Sequence, residues 1–211
     1  MMTLNMALRR ILPASQAPDE IDLIEIRGAV EWLNRRAHLD PVERVEYMSC
    51  IVRLGNSIHS PHETRGQAHQ VTRLCNQEND HNDHYGYYRN HDDHYRNYRG
   101  SLHIHLPDRQ GFYGFGFSPG DFAATFDDGD HIGMVVSGKW VYALYRTKET
   151  GKLEKMTNTD YYDCWKRWNH LHNTKRVEKA EREFTQEMCA QLKYVLYQGL
   201  RRGPLRKIWT P

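Results

Sequence analysis

Residues 76–99 contain almost no aliphatic side chain and are built mainly from histidine, tyrosine, aspartate, asparagine and arginine. Such a segment cannot bury enough apolar surface to offset the entropy that it would lose on becoming ordered. We therefore interpret it as a mobile insert, and the hydrophobic core has to come from the segments on either side. The low apolar fraction of 39% and the mean hydropathy of −0.83 fit this view, because the polar excess is concentrated in exposed segments.

The chain divides into three parts around this insert. Residues 1–58 are expected to form a leader followed by two helices, over 19–37 and 40–55, because apolar side chains recur there at helical spacing. Residues 59–150 are expected to form the core domain that carries the insert. Residues 151–211 show helical spacing again as far as about Leu196 and are expected to be a long helical extension, which ends at the glycines that follow.

Within the central part, local patterns predict individual elements. Alternating apolar residues predict strands, and the pair Ser137-Gly138 between two apolar runs predicts a hairpin turn. Ser-Pro is a common helix start, with serine as the cap and proline at the first helical position. The predicted elements are strands over 66–74 and 101–106, a short helix over 118–126, and hairpin strands over 131–136 and 139–146.

Composition narrows the class of protein. The net charge of +2 is close to balance, so no bulk basic field favours nucleic acid as a partner. No stretch approaches membrane-spanning length, and the apolar run at the N-terminus is too short and too broken for a signal peptide, so a cytoplasmic location is expected. Its four cysteines form no Cys-x-x-Cys pair and are expected to be reduced thiols: Cys50, Cys75, Cys164 and Cys189.

Clustering of the histidines is the first indication of metal chemistry, because six of the thirteen lie from His81 to His105. In a strand, residues two apart point to the same face, so His103 and His105 project together while Leu102 and Ile104 pack on the other side. Two imidazoles on one face can bind one divalent ion.

A candidate third ligand and a candidate hydrogen-bond donor follow the histidines in the sequence. Catalytic zinc takes three protein ligands and leaves a fourth position to water. Asp121, near the start of the predicted helix, is the natural third ligand, and Ser118 lies one helical turn before it. The Ser118 hydroxyl is therefore placed to donate to an oxyanion. Ser-Pro-x-Asp is also an ordinary helix start, which explains Ser118 and Asp121 without metal but not their place after His-x-His.

His-x-His followed by a loop and Ser-x-x-Asp, with a hairpin afterward, resembles the JAMM motif of the JAB/MPN metallopeptidase family. The resemblance extends over roughly residues 60–147. It implies an α/β domain with a mixed β-sheet flanked by helices, and Zn²⁺ bound by His103, His105 and Asp121. It also implies hydrolysis of a peptide or isopeptide bond, often at the tail of a ubiquitin-like protein. The sequence departs from the family pattern where Leu106 stands before Pro107, and in a longer Gly/aromatic loop before Ser118.

Members of this family supply a glutamate from an upstream strand as the general base. The candidates here are Glu46, Glu63 and Glu78. Glu46 falls inside the predicted helix over 40–55 and Glu78 falls in the insert. We therefore select Glu63, which leads into the predicted strand over 66–74.

Other interpretations stay open. The chain is alternatively a non-catalytic MPN-like scaffold, and a glutamate within reach of the metal site would separate the two functions. The helical extensions suggest a protein partner or a homo-oligomer. Within the insert, His81-x-x-His84 and His91-x-x-His94 have chelating spacings, and the tyrosines and arginines suggest an RNA-binding patch. A solvated loop over the mouth of the site is favoured over both, because no apolar scaffold holds those side chains in place.

Overall fold

The structure is a computed structural model. The described residues are 1–39, 46–60, 63–65, 97–107, 114–127, 129–150 and 158–211, with only the backbone described for 37–39, 63–65, 127, 158 and 159. The predicted strand over 66–74 and all but the last three residues of the segment 76–99 lie outside the described residues.

One mixed β-sheet of ten strands organises the described chain. The strands are β1 (Met2–Thr3), β2 (Glu20–Asp22), β3 (Tyr47–Leu54), β4 (Ser57–His59), β5 (Glu63–Arg65), β6 (Tyr98–His105), β7 (Ile132–Ser137), β8 (Trp140–Tyr145), β9 (Val195–Leu200) and β10 (Leu205–Trp209). Their order across the sheet is β1-β2-β10-β9-β8-β7-β6-β3-β4, with β5 also paired to β3. Two pairs, β1/β2 and β6/β7, are parallel and the other pairs are antiparallel.

Helices cover both faces of this sheet. They are α1 (Leu4–Ala7), α2 (Arg27–Leu39), α3 (Pro119–Asp127), α4 (Asn158–Thr174) and α5 (Val177–Leu192). On one face, Leu102 and Ile104 belong to a core that includes residues of α1 and α2. On the other face, Val135 and Tyr142 belong to a core that includes residues of α3, α4 and α5. The predicted α/β class, with a mixed sheet flanked by helices, is therefore confirmed.

Local patterns located several elements correctly. The predicted strand over 101–106 is β6, although β6 begins at Tyr98, inside the end of the segment interpreted as an insert. The predicted helix over 118–126 is α3 and the predicted hairpin is β7–β8. In the turn of the hairpin Gly138 has a φ of 58°, a conformation in which glycine meets no steric penalty.

One predicted helix is wrong and another is shortened. Residues 47–54 form β3 rather than the end of a helix over 40–55. Five consecutive residues, 48–52, are buried in this strand, so its apolar residues do not alternate and their spacing imitates that of a helix. The predicted helix over 19–37 is shortened for another reason, since 20–22 form β2 and the α-helix begins only at Arg27.

The C-terminal segment is helical only in part. α5 ends at Leu192, where Lys193 adopts a left-handed conformation with a φ of 61°. The following residues form β9 and β10, so the prediction that residues up to Leu196 continue the helix is wrong. Both strands belong to the same sheet as the central segment.

Cys164 and Cys189 are free and buried, as expected. Cys50 is disulfide-bonded, which contradicts the prediction of four reduced thiols. Among the described residues, no helix combines the length and the apolar character needed to cross a membrane.

Candidate metal centre

β6 brings His103 and His105 to one face of the sheet. Leu102 and Ile104 are fully buried in the core that faces α2, and the two histidines alternate with them. The two histidines therefore face α3 and α5. His103 is 6% exposed, and the side chain of His105 keeps 20% of its accessible surface, so the pair is largely buried but His105 stays partly accessible.

α3 brings Asp121 to the histidines through a closely held helix start. Ser118 caps the helix: its carbonyl accepts from the Phe122 N–H at 3.2 Å, and its Oγ accepts from the Asp121 N–H at 3.3 Å. In return the Ser118 N–H donates to Asp121 Oδ2 at 2.7 Å. This reciprocal pair is a capping box with aspartate in the third helical position. It fixes the orientation of the Asp121 carboxylate relative to β6.

The three predicted ligands converge. His103 Nε2 lies 3.0 Å from Asp121 Oδ1, and His105 Nε2 lies 3.2 Å from Asp121 Oδ2. The two Nε2 atoms are 3.1 Å apart. Tetrahedral zinc with bonds of about 2.0–2.1 Å places neighbouring ligand atoms about 3.3 Å from each other. The donor set and its spacing therefore fit three corners of a zinc site, and the ligand atoms all lie within 4.8 Å of one another.

Charge within the cluster is strongly coupled. Burial lowers the pKa of His105, but the adjacent Asp121 carboxylate outweighs burial and raises that pKa to about 9, with smaller contributions from Glu46 and Glu181. Burial likewise acts to raise the pKa of Asp121, and both histidines overcome it and hold that pKa well below its ordinary value. Without a metal ion, His105 is accordingly protonated at neutral pH and paired with an ionised Asp121.

This coupling predicts proton release on metal binding. An imidazole binds a cation only in its neutral form, so zinc added at pH 7 is expected to displace about one proton from His105. The number released should fall as the pH rises through about 9, where His105 is already neutral. Titration calorimetry in two buffers of different ionisation enthalpy measures it. The control His170→Ala, at an exposed histidine of α4, should release the same number, whereas zinc binding without proton release at pH 7 would contradict the raised pKa.

The register of β3 against β6 brings Glu46 to the same site. The strands are antiparallel and pair Met48 with His103. Two residues back from Met48 and two residues on from His103, Glu46 is therefore level with His105. Residues level with each other in an antiparallel pair project to the same face. The half-buried Glu46 carboxylate is also among the groups that raise the pKa of His105. Glu46 is therefore on the same side of the sheet as the candidate ligands and close enough to influence His105 electrostatically.

The other two candidate bases are placed differently. Glu63 in β5 pairs with Ser49, and Ser49 in turn pairs with Leu102. Glu63 is thus level with Ser49 and Leu102, whereas His103 belongs to the alternate set of positions along the strand. Glu78 lies outside the described residues. The selection of Glu63 as general base stays a prediction.

Glu181 of α5 is a site residue that the sequence did not indicate. Its Oε2 accepts the Phe115 N–H, and its Oε1 lies 3.5 Å from His172 Nε2. Burial raises the pKa of Glu181, against the opposing influence of the Phe115 N–H, His105 and His172. From the sheet side, the Ser137 hydroxyl donates to the Gly114 carbonyl at 2.8 Å. Both contacts hold the start of the described segment that leads into the Ser118 cap, at Gly114 and Phe115. No sequence pattern separates Glu181 from the other glutamates of the helix.

Comparison of the chain with models of known families, with curated proteins and with solved structures finds no match. The chemistry of the site is therefore inferred from its own side chains.

Proposed function

We propose that this chain is a zinc-dependent metallopeptidase that hydrolyses a peptide or isopeptide bond. The observation that carries the proposal is the convergence of His103 Nε2, His105 Nε2 and the Asp121 carboxylate at 3.0–3.2 Å from one another. Three protein ligands with some remaining exposure are typical of catalytic zinc, whereas structural zinc is closed by four.

Each side chain at the site has a task in such a reaction. A divalent cation held there would supply Lewis acidity and lower the pKa of a water molecule. The Glu46 carboxylate accepts the proton of the attacking water and passes it to the leaving amine. The Ser118 hydroxyl donates a hydrogen bond to the oxyanion of the substrate. Its hydrogen is not engaged by Asp121, because Ser118 Oγ acts as the acceptor in that contact.

The proposed fold type and substrate class rest on the JAMM resemblance. The order of β6, α3 and the β7–β8 hairpin supports a JAB/MPN-like core, because the motif residues occupy the strand and the helix start that the resemblance implies. The tail of a ubiquitin-like protein is accordingly one proposed substrate, beside a linear peptide.

A non-catalytic MPN-like module is the second candidate function. One observation favours it: the Asp121 carboxylate already accepts from the Ser118 N–H and lies within 3.2 Å of both histidines. This polar network is satisfied without a metal ion and would make a stable buried cluster in a scaffold protein. Its prediction is that the purified protein neither binds zinc tightly nor cleaves peptides.

Chelation and reconstitution test the metallopeptidase. Zinc-loaded protein is incubated with a library of internally quenched peptides and with isopeptide-linked ubiquitin, and cleavage is followed by fluorescence and mass spectrometry. Cleavage should disappear after dialysis against a chelator and return when zinc is restored, because the cation supplies the activated water. Cleavage that survives complete metal removal, or its absence from both substrate classes at full zinc loading, would refute the proposal.

A further inference from the structure

A hollow of about 380 Å³ lies near the candidate metal centre, and it has no role in the hydrolysis proposed for that centre. Its walls come from the turn before α3, from the β7–β8 hairpin and from the first turn of α5. Six of the lining residues carry the argument: Phe115, Ser137, Lys139, Trp140, Tyr142 and Glu178.

The hollow lies near the candidate metal centre along the sheet. Ser137 is the parallel partner of His105 and the antiparallel partner of Trp140, so the three residues form one row across β6, β7 and β8. Adjacent strands lie about 4.8 Å apart, which puts Trp140 about 10 Å from His105 along this row. An extended peptide advances about 3.4 Å per residue. A peptide held at the metal centre therefore reaches the hollow within about three residues.

The floor of the hollow is aromatic, with Phe115 and Tyr142 almost fully buried and Trp140 partly exposed. Phe115 and Tyr142 contact each other with ring centroids 4.7 Å apart, and Trp140 packs against the same core. Burial raises the pKa of Tyr142 to about 12, so its phenol stays neutral at physiological pH. Binding of an apolar side chain to such a surface is favourable because apolar area is removed from water. Binding of a charged side chain is unfavourable because the charge loses its hydration.

The charges at the hollow belong to its rim and have nearby partners. Lys139 is exposed, and its Nζ lies 5.4 Å from the centroid of the Trp140 ring. Glu178 is exposed and lies 3.4 Å from Arg182 in an ion pair on α5. With one cation and one anion both facing water, the rim does not select a charged ligand of either sign.

We propose that this hollow binds an apolar side chain of the substrate, aromatic in preference, within about three residues of the bond to be cleaved. The binding step stands on the hollow alone, and its relation to cleavage rests on the proposed peptidase function. The volume is ample for one large side chain and lies at the lower end of the range for small-ligand pockets.

Binding is tested with single blocked amino acids, which need no cleavage for detection. The amides of N-acetyl-phenylalanine, N-acetyl-leucine and N-acetyl-aspartate are titrated into the full-length protein, and binding is followed by NMR shifts of the tryptophan indole N–H groups. The phenylalanine compound should bind at least about tenfold more tightly than the aspartate compound, since burying a carboxylate against aromatic walls is costly. Equal affinities for the two would overturn the proposal.

Substitution locates the bound compound. Glu178→Trp puts a large side chain into the hollow from an exposed helix position and is expected to weaken phenylalanine binding about tenfold. Lys179→Trp is the matched control, because Lys179 is the exposed neighbour on the same helix turn and does not line the hollow. Trp140→Ala should weaken binding as well, and Trp140→Phe should retain it because an aromatic wall remains. Unchanged binding in correctly folded Glu178→Trp protein would place the compound elsewhere.

The outcome is separable from that of the peptidase proposal. Phenylalanine binding that persists in protein without zinc or proteolytic activity would leave the hollow as a side-chain site and remove only its link to cleavage. Cleavage by zinc-loaded protein without preference for an apolar residue near the bond, and without any effect of Glu178→Trp, would refute the inference and leave the peptidase intact.

Discussion

Alanine at both His103 and His105 is expected to reduce the zinc content of the purified protein from about one ion per chain to none at this site. Two of the three proposed ligands are lost, and the Asp121 carboxylate that lies within 3.2 Å of them cannot hold the ion alone. Elemental analysis after reconstitution and desalting measures the change. Saturating zinc should also raise the melting temperature of the wild type and not of the variant, because a ligand stabilises only the state that binds it.

The matched control for this experiment is the double variant His59→Ala/His170→Ala. It removes the same number of imidazoles from exposed positions on β4 and α4. Any zinc that the histidines of residues 76–99 bind would be present in both double variants and is subtracted in the comparison. Equal zinc contents in the two variants would show that the cluster on β6 and α3 does not bind the metal.

Glutamine at Glu46 is expected to reduce the hydrolytic rate by about 10²–10⁴-fold while the zinc content stays unchanged. The amide keeps the size of the side chain but cannot accept the proton of the attacking water. Glu46 is level with His105 in the register of β3 against β6, so its loss affects proton transfer and leaves the three ligands in place. Initial rates at zinc saturation, together with elemental analysis, measure both quantities.

Glu63→Gln is the comparison that decides between the two glutamates. If Glu46 is the general base, this variant should keep a rate within a few-fold of the wild type. The opposite pattern, with a slow Glu63→Gln enzyme and an active Glu46→Gln enzyme, would assign the base to the residue first selected from sequence. Full activity in both variants would exclude either carboxylate from the proton transfer.

Local sequence patterns were sufficient for the ligand-bearing elements. Alternation over 101–106 predicted β6, and the serine cap predicted α3. These signals are local, because the two-residue period of a strand and the hydrogen bonds of a helix start involve only a few neighbouring residues. The strand and the helix start that carry His103, His105 and Asp121 were therefore predictable from sequence, whereas their convergence was expected from the resemblance of the motif.

Strands in the middle of the sheet could not be predicted from such local patterns. β3 and β9 pair with other strands along both edges, and most of their residues are buried on both faces. A continuously apolar strand carries no alternation that would distinguish it from a buried helix. The helix predicted over 40–55 is wrong for this reason, and the strand found there puts Glu46 level with His105.

By itself, the sequence determined the three candidate ligands and the serine beside them, since strand alternation and helix capping are properties of short stretches of chain. Only the tertiary structure decided which acidic groups surround those ligands. The pairing of strands more than 40 residues apart puts Glu46 level with His105, and Glu181 accepts the Phe115 N–H from a helix position 66 residues further on. Such contacts depend on strand register and helix packing across the whole sheet, which no local pattern specifies.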